Sequence, residues 1–270
     1  MRCSPRGFGL VLLVAASLLF PAGSALAQVP ACTPPPPGMV AWWPGDGNAS
    51  DIAGVHHGSV VGGVTYAAGR VGQAFRLDGS TGWVQVPDSA ALSVTGQITI
   101  DAWINPATTG GRVVDKITAG GADGYLLDTH GGVVRLIVDG QSVSGATTLP
   151  TGAWSHVAGV YDGAEMRVYL NGTLDGSLGT TVAIPVNALS VRIGAASDGG
   201  SLFNGLIDEV EVFGRALSQP EIQAIVAAGS AGKCKQAATA EVPAVSIRGL
   251  SALALLLAAG ALRVLRLHPV

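Results

Sequence analysis

Asp208, Glu209 and Glu211 crowd into four residues within the segment 203–216. A carboxylate inside a strand needs a counter-charge, and paired carboxylates can act as acid and nucleophile. The residues around them alternate. Leu206, Val210 and Val212 share one parity and Glu209 and Glu211 the other, with Ile207 the apolar exception. Period 2 predicts a half-buried β-strand. Packing in such a strand gives no reason for a charge at Asp208, close to Gly205. Two readings stay open for it: a cation ligand, or an acceptor of hydrogen bonds from the backbone or Arg215. A second oxygen-rich stretch, 46–51, carries Asp46, Asn48 and Asp51. It has part of a calcium-loop pattern but lacks the closing Glu of an EF-hand, and a polar surface turn explains it equally.

Other reactive residue types are sparse. His56 and His57 have no third ligand at metal spacing and predict a strand edge with exposed imidazoles. His156, between Trp154 and Val157, reads as a packed structural histidine rather than a general base. No Ser/His/Asp or Cys/His arrangement occurs in a recognisable context. Of three cysteines, Cys3 falls in the leader, while Cys32 and Cys234 bracket the central region. In an oxidising compartment those two are expected to pair. Closing so long a loop stabilises by roughly 5 kcal/mol on the chain-entropy model. Trp42 and Trp43 must face opposite sides of a strand. Trp103 and Trp154 lie in apolar alternating segments and are expected in the core, whereas Trp83, after Gly82, is expected at the surface.

The two ends speak of location. Arg2 and Arg6, an apolar run over 8–20 and Ala25-Leu26-Ala27 predict a signal peptide over 1–27. The run is shorter than the ~20 residues of a membrane span. At the other end, an apolar run over 250–262 is closed by Arg263 and Arg266. Val242-Pro243, Val245 and Ser246 ahead of it resemble the IPTL-type sorting signals of Gram-negative bacteria. Ala244 replaces the usual Thr, and Ile247-Arg248 the usual Glu-Trp. That resemblance implies a sortase-like processing protease as partner; the alternative is a plain transmembrane anchor, with the membrane touched only through 242–270. Both place the domain at the cell surface or secreted. Charged residues make up 12% and the net charge is −3, which offers no basic field for nucleic acid.

The elements that must position these residues are short strands separated by Gly, Asp, Asn and Pro. A stiff Pro-rich leader at 28–38 is followed by β-patterned stretches at 40–43, 74–77, 83–86, 98–104, 112–117, 125–128, 133–138, 154–161, 166–170 and 190–193. The pairs at 74–77 and 83–86 look like two arms around Asp78-Gly79-Ser80. Asp139-Gly140, Asp162-Gly163 and Asn171-Gly172 are hairpin signals. Only 219–228 has a helical pattern, opened by the cap Ser218, Pro220 and Glu221. A dozen strands and one helix predict an all-β fold, a two-sheet antiparallel jelly-roll sandwich with one short C-terminal helix, over 39–229, then a linker at 230–241.

The segments 39–51, 72–79, 98–106, 154–163 and 168–172 occur in the order seen in bacterial laminin-G-like, concanavalin A-like jelly rolls, which this chain resembles. The resemblance implies one Ca²⁺ held by Asp208, with carbonyls near Pro44 and Gly79 as helpers and Asp51 or Asp46 as a further ligand. Laminarinase-like relatives use a Glu-x-Asp-x-x-Glu strand, and Leu206 stands here where the nucleophile belongs. The expectation is therefore a non-enzymatic recognition or adhesion module for a glycan or extracellular protein, gripped by rim loops such as 196–202. A structural envelope component is the alternative.

Overall fold

The computed structural model describes residues 32–235. Among them run fifteen strands and one α-helix: β1 (Met39–Trp43), β2 (Ser59–Val61), β3 (Thr65–Ala68), β4 (Gln73–Asp78), β5 (Trp83–Val86), β6 (Ile98–Pro106), β7 (Arg112–Lys116), β8 (Tyr125–Asp128), β9 (Arg135–Val138), β10 (Gln141–Ser144), β11 (Ser155–Tyr161), β12 (Glu165–Leu170), β13 (Thr173–Gly179), β14 (Val191–Ile193), β15 (Asn204–Phe213) and α1 (Gln219–Ala228). One sheet is ordered β13-β12-β11-β6-β15-β4-β3, with β1 also on β15; the other is β10-β9-β8-β7-β14-β5-β2. All strand pairs are antiparallel, and the inner faces enclose a core that includes Trp43, Phe75, Ile100, Ile104, Leu127 and Val210. This is the jelly-roll sandwich expected from the alternation.

Local signals set several of these elements. Asp139 and Asn171 take positive φ, 48° and 51°, ahead of Gly140 and Gly172, so each dipeptide closes a tight hairpin, β9–β10 and β12–β13. Ser218 and Glu221 form a reciprocal capping box at the start of α1. The helix lays Ile222 and Ile225 on Ala158, Val160, Tyr169 and Phe213, on the outer face of the eight-stranded sheet. Asp78-Gly79-Ser80 departs from its hairpin look: β4 belongs to one sheet and β5 to the other, so the turn carries the chain across the sandwich.

β15 is the seam of the fold. Its first half pairs with β4, from Asn204↔Asp78 to Ile207↔Phe75, and its second half pairs on the same edge with β1, from Val210↔Trp43 to Phe213↔Met39. Where the partner changes, the register with β6 slips between Asp208 and Glu211, and Glu209 adopts φ 53°. This β-bulge explains the apolar exception at Ile207. Ile207, Val210 and Val212 face the core, and the extra residue turns Asp208 outward, where strict alternation puts Leu206 and Asp208 with Val210.

Two expectations at the ends need comment. Cys32 and Cys234 are bonded, 202 residues apart in sequence, beside a parallel bridge between Thr33 and Lys233. A transmembrane element is not borne out. Among the described residues no helix is long and apolar enough to cross a membrane, and α1, with 10 residues, reaches about 15 Å against the ~30 Å of a bilayer core. The signal at 1–27 and the tail at 242–270 lie outside the described residues.

Candidate functional site

The outer face of the eight-stranded sheet carries the chemistry, and it divides into a covered half and an open half. In the covered half, Glu211 pairs in register with Asp101 of β6 on one side and with Trp42 of β1 on the other. Trp42 Nε1 donates to Glu209 Oε2 at 2.9 Å, Lys233 Nζ pairs with Glu211 Oε1 at 2.6 Å, and Lys235 Nζ bridges Glu209 Oε1 (2.8 Å) and Asp46 Oδ2 (2.5 Å). His156 Nε2 lies 3.5 Å from Asp101 Oδ2, and the His156 ring meets Trp103 edge-on, with centroids 5.3 Å apart. The Arg70 guanidinium covers the Trp103 ring at 4.7 Å. Asp101, Trp103, His156, Glu209, Glu211 and Lys233 are all buried.

The cover is the strap 229–235, tied to the leader by the disulfide and by Thr33 N donating to Gly232 O and Cys234 N to Thr33 O. Burial raises the Glu211 carboxyl well above its ordinary range and raises Glu209, while Lys233 pulls both back and Lys235 pulls back Glu209. Glu211 Oε2 and both Asp101 oxygens have no hydrogen-bond donor among the described residues. Glu209 and Glu211 are thus buried and paired with the lysines of the strap.

The four residues expected around a calcium ion are not brought together. Asp208 is fully buried; its Oδ2 accepts from Val71 N at 2.9 Å, holding the β3–β4 turn, and its Oδ1 has no hydrogen-bond partner among the described residues. Burial pushes this carboxyl up to about 7, against the Val71 N–H, with Glu209 adding a like charge. Arg215, the other expected donor, pairs instead with Glu221. Pro44 follows Trp43 and so lies near the bulge. Asp51 is consumed locally: Oδ1 accepts from the Trp42, Ala53 and Gly54 amides and Oδ2 from His56 N. Gly79 packs against Asn204, four residues up β15 from Asp208. With Asp51 saturated, Gly79 displaced and Lys235 already between Asp46 and Glu209, these residues do not fit a shared calcium ion. No cluster of three or more His, Cys, Asp or Glu suited to a metal occurs among the described residues.

Other sequence expectations move as well. Trp103 is buried, but on the outer face, since β6 sends Ile98, Ile100, Ala102 and Ile104 inward. Trp154 is half-buried, just before β11, and Trp83 is half-buried under the Arg192 guanidinium at 5.0 Å. His56 and His57 sit in the loop before β2, not on a strand; His56 is half-buried and His57 exposed. The rim loop 196–202 is closed on itself, with Ala196 N donating to Gly200 O and Gly199 N to Ala196 O.

The open half was missed by sequence reasoning. It is a cleft of about 440 Å³ lined by Arg76, Asp78, Asn105, Gly152, Asn204 and Leu206, among others. Arg76, Leu206 and Asn105 form one cross-strand row over β4, β15 and β6, and Asp78 and Asn204 begin the next. Gly205, at φ 138°, lies so close to β6 that a Cβ would collide with Asn105 O and stand 2.8 Å from Ala107 N. Asp78 turns its carboxylate away into its own turn, accepting from Ser80 N, Thr81 N and Thr81 Oγ1. Those bonds hold its carboxyl well below the usual range. The polar residues Arg76 within β4 and Asn105 and Asn204 at strand ends were the available signal; only the register shows that they converge.

Residues 78–223, more than half of the chain, match the concanavalin A-like lectin/glucanases superfamily in its laminin-G form, and the chain belongs to that superfamily. Among solved structures it is similar to domain 4 of AbnA, a GH43 extracellular arabinanase from Geobacillus stearothermophilus, in complex with arabinotriose. The identity is 23% with a TM-score of 0.57, over 68% of this chain and 96% of that one. It is also similar to the binding domain of Paraclostridial Mosquitocidal Protein 1 (16% identity, TM-score 0.56, 70% and 52% coverage). A third is the binding domain of botulinum neurotoxin DC in complex with SialylT (14%, 0.56, 71% and 51%). The chain spans about half the length of the two toxin binding domains. A search of curated protein sequences finds no match. These similarities concern the sandwich and give no support to a sortase-like protease as partner; nor does any helix among the described residues support contact with a membrane, and the tail at 242–270 lies outside them.

Proposed function

We propose that this domain is a non-catalytic, extracellular recognition module that binds a glycan or an extracellular protein at the cleft between β4, β15 and β6. The carrying observation is the contrast within one sheet face. Glu209 and Glu211 of β15 are sealed under a disulfide-tied strap and neutralised by Lys235 and Lys233. Two rows away, Arg76, Asn105 and Asn204 stand open around Leu206. Arg76 is exposed and Asn105 and Asn204 are half-buried, and their side chains have no hydrogen-bond partner among the described residues, so their donors are available to a ligand. A similar domain is known in complex with arabinotriose, which supports an oligosaccharide as the first ligand to try. The disulfide agrees with a secreted or cell-surface setting.

The test is a glycan array, including arabino-oligosaccharides, read with the purified protein and with the Asn105→Ala/Asn204→Ala double variant. Binding by the parent and its loss in the variant, at unchanged Tm, is the expected result. Absence of any glycan or protein ligand, together with self-association in solution, refutes it in favour of an envelope component.

A further inference from the structure

The geometry points to an acidic oligosaccharide, one whose sugar ring carries a carboxylate, as the ligand of this cleft; the inference rests on the recognition reading above and deepens it. The first ground is the accounting of polar side chains. Of the five asparagines in the sequence, Asn48, Asn171 and Asn187 spend their amides on internal hydrogen bonds. Asn105 and Asn204, both in the cleft, make none among the described residues. Arg112, Arg135, Arg167 and Arg215 are ion-paired, and Arg70 and Arg192 lie over tryptophans. Arg76 has neither an ion pair, a hydrogen bond nor an aromatic neighbour of that kind among the described residues, and it is exposed. The same cleft thus collects the two asparagines and the one arginine that the fold leaves without such partners among the described residues.

The second ground is shape and charge. Strands in a sheet lie about 4.8 Å apart and rise about 3.4 Å per residue. Arg76 and Asn105, on either side of Leu206, are therefore about 10 Å apart, and Asn204 lies about 7 Å along β15 from Leu206. That footprint suits a pair of linked sugar rings lying on the Leu206 methyls, with amides at two edges for hydroxyls and one guanidinium fork at the third. Asp78, the one other charged residue lining the cleft, has both carboxylate oxygens engaged by Ser80 and Thr81. Asp78 stays ionised, but its oxygens are spent on Ser80 and Thr81; the guanidinium is the charged group of the cleft whose hydrogen bonds are free, and its planar fork matches a carboxylate in two parallel hydrogen bonds. A neutral sugar would leave that fork facing only water.

The test compares three probes by isothermal titration calorimetry on the purified protein: a galacturonic acid trimer, its carboxyl-reduced neutral counterpart, and a hexaglutamate peptide. The acid sugar is expected to bind about tenfold tighter than the reduced one, the worth of a hydrogen bond to a charged partner. Arg76→Ala should erase that preference at unchanged Tm, and Arg76→Lys should keep part of it. Equal binding of acid and reduced sugars, with loss of both in Asn204→Ala, overturns the acidic-ligand inference and leaves the recognition reading standing. Hexaglutamate bound as tightly as the acid sugar also overturns it, in favour of an acidic protein ligand. If no glycan or protein binds at all, the recognition reading itself fails.

Discussion

Replacing Lys233 with Met removes the cation from the buried face of the sandwich while keeping most of the side-chain volume. The Lys233 side chain is 3% exposed and its partner Glu211 0%, at 2.6 Å, so the pair has almost no solvent screening. Breaking such a pair from one side costs about 3–5 kcal/mol, because the remaining charge stays buried. For a domain of this size that lowers Tm by roughly 10 °C. The deficit should depend on pH. Burial already raises the Glu211 carboxyl, with Asp101 and Glu209 adding like charge. Without Lys233 it rises further, so the folded variant holds a proton that the unfolded chain releases above the ordinary Glu value. Stability from that proton is fully present below about pH 4.5 and is lost as pH rises toward the folded value, by about 1.4 kcal/mol per unit. Urea unfolding followed by tryptophan fluorescence at pH 5 and pH 8 should therefore show a small deficit at pH 5 and the full one at pH 8. The Glu211→Gln/Lys233→Met double variant should recover most of it at pH 8. A Lys233→Met deficit below 1 kcal/mol (about the scatter of such measurements), or one equal at both pH values, refutes the buried pair.

Three more outcomes follow from single residues. Asp208, pushed up to about 7 by burial, should contribute stability that is complete below its unfolded value near 4 and lost as pH climbs to 7. Asp208→Asn should flatten that slope and raise Tm relative to the parent at pH 8, and an unchanged slope refutes the assignment. Gly205→Ala, at φ 138° and against the β6 backbone, should lower the unfolding free energy by about 2 kcal/mol or more, read from the urea midpoint; no shift would mean β15 and β6 can separate there. Because Asp51 is saturated and Lys235 stands between Asp46 and Glu209, Tm in EDTA and in added Ca²⁺ should coincide. A calcium-dependent rise of several degrees would refute this.

Much of the fold is legible in the residues because its signals are local. Alternation along 98–104, the positive-φ pairs Asp139-Gly140 and Asn171-Gly172, and the Ser218/Glu221 box each act over a few residues, and each appears where the spacing places it. The pairing of Cys32 with Cys234 follows from there being two cysteines outside the expected signal peptide 1–27. What alternation could not show is the bulge at Glu209. One added residue reverses the facing of Asp208, and it is selected by a change of partner strand, β4 to β1, that no window of sequence contains. The same holds for the site. Whether Glu211 is a surface carboxylate or a buried one depends on a strap 22 residues further on, and whether Arg76 meets Asn105 depends on the register of three strands far apart in the chain. The sequence by itself determined which segments are strands and which residues can carry charge. Only the tertiary structure decided which of those charges are sealed by lysine and which are left open to a ligand, because burial and convergence are properties of long-range packing.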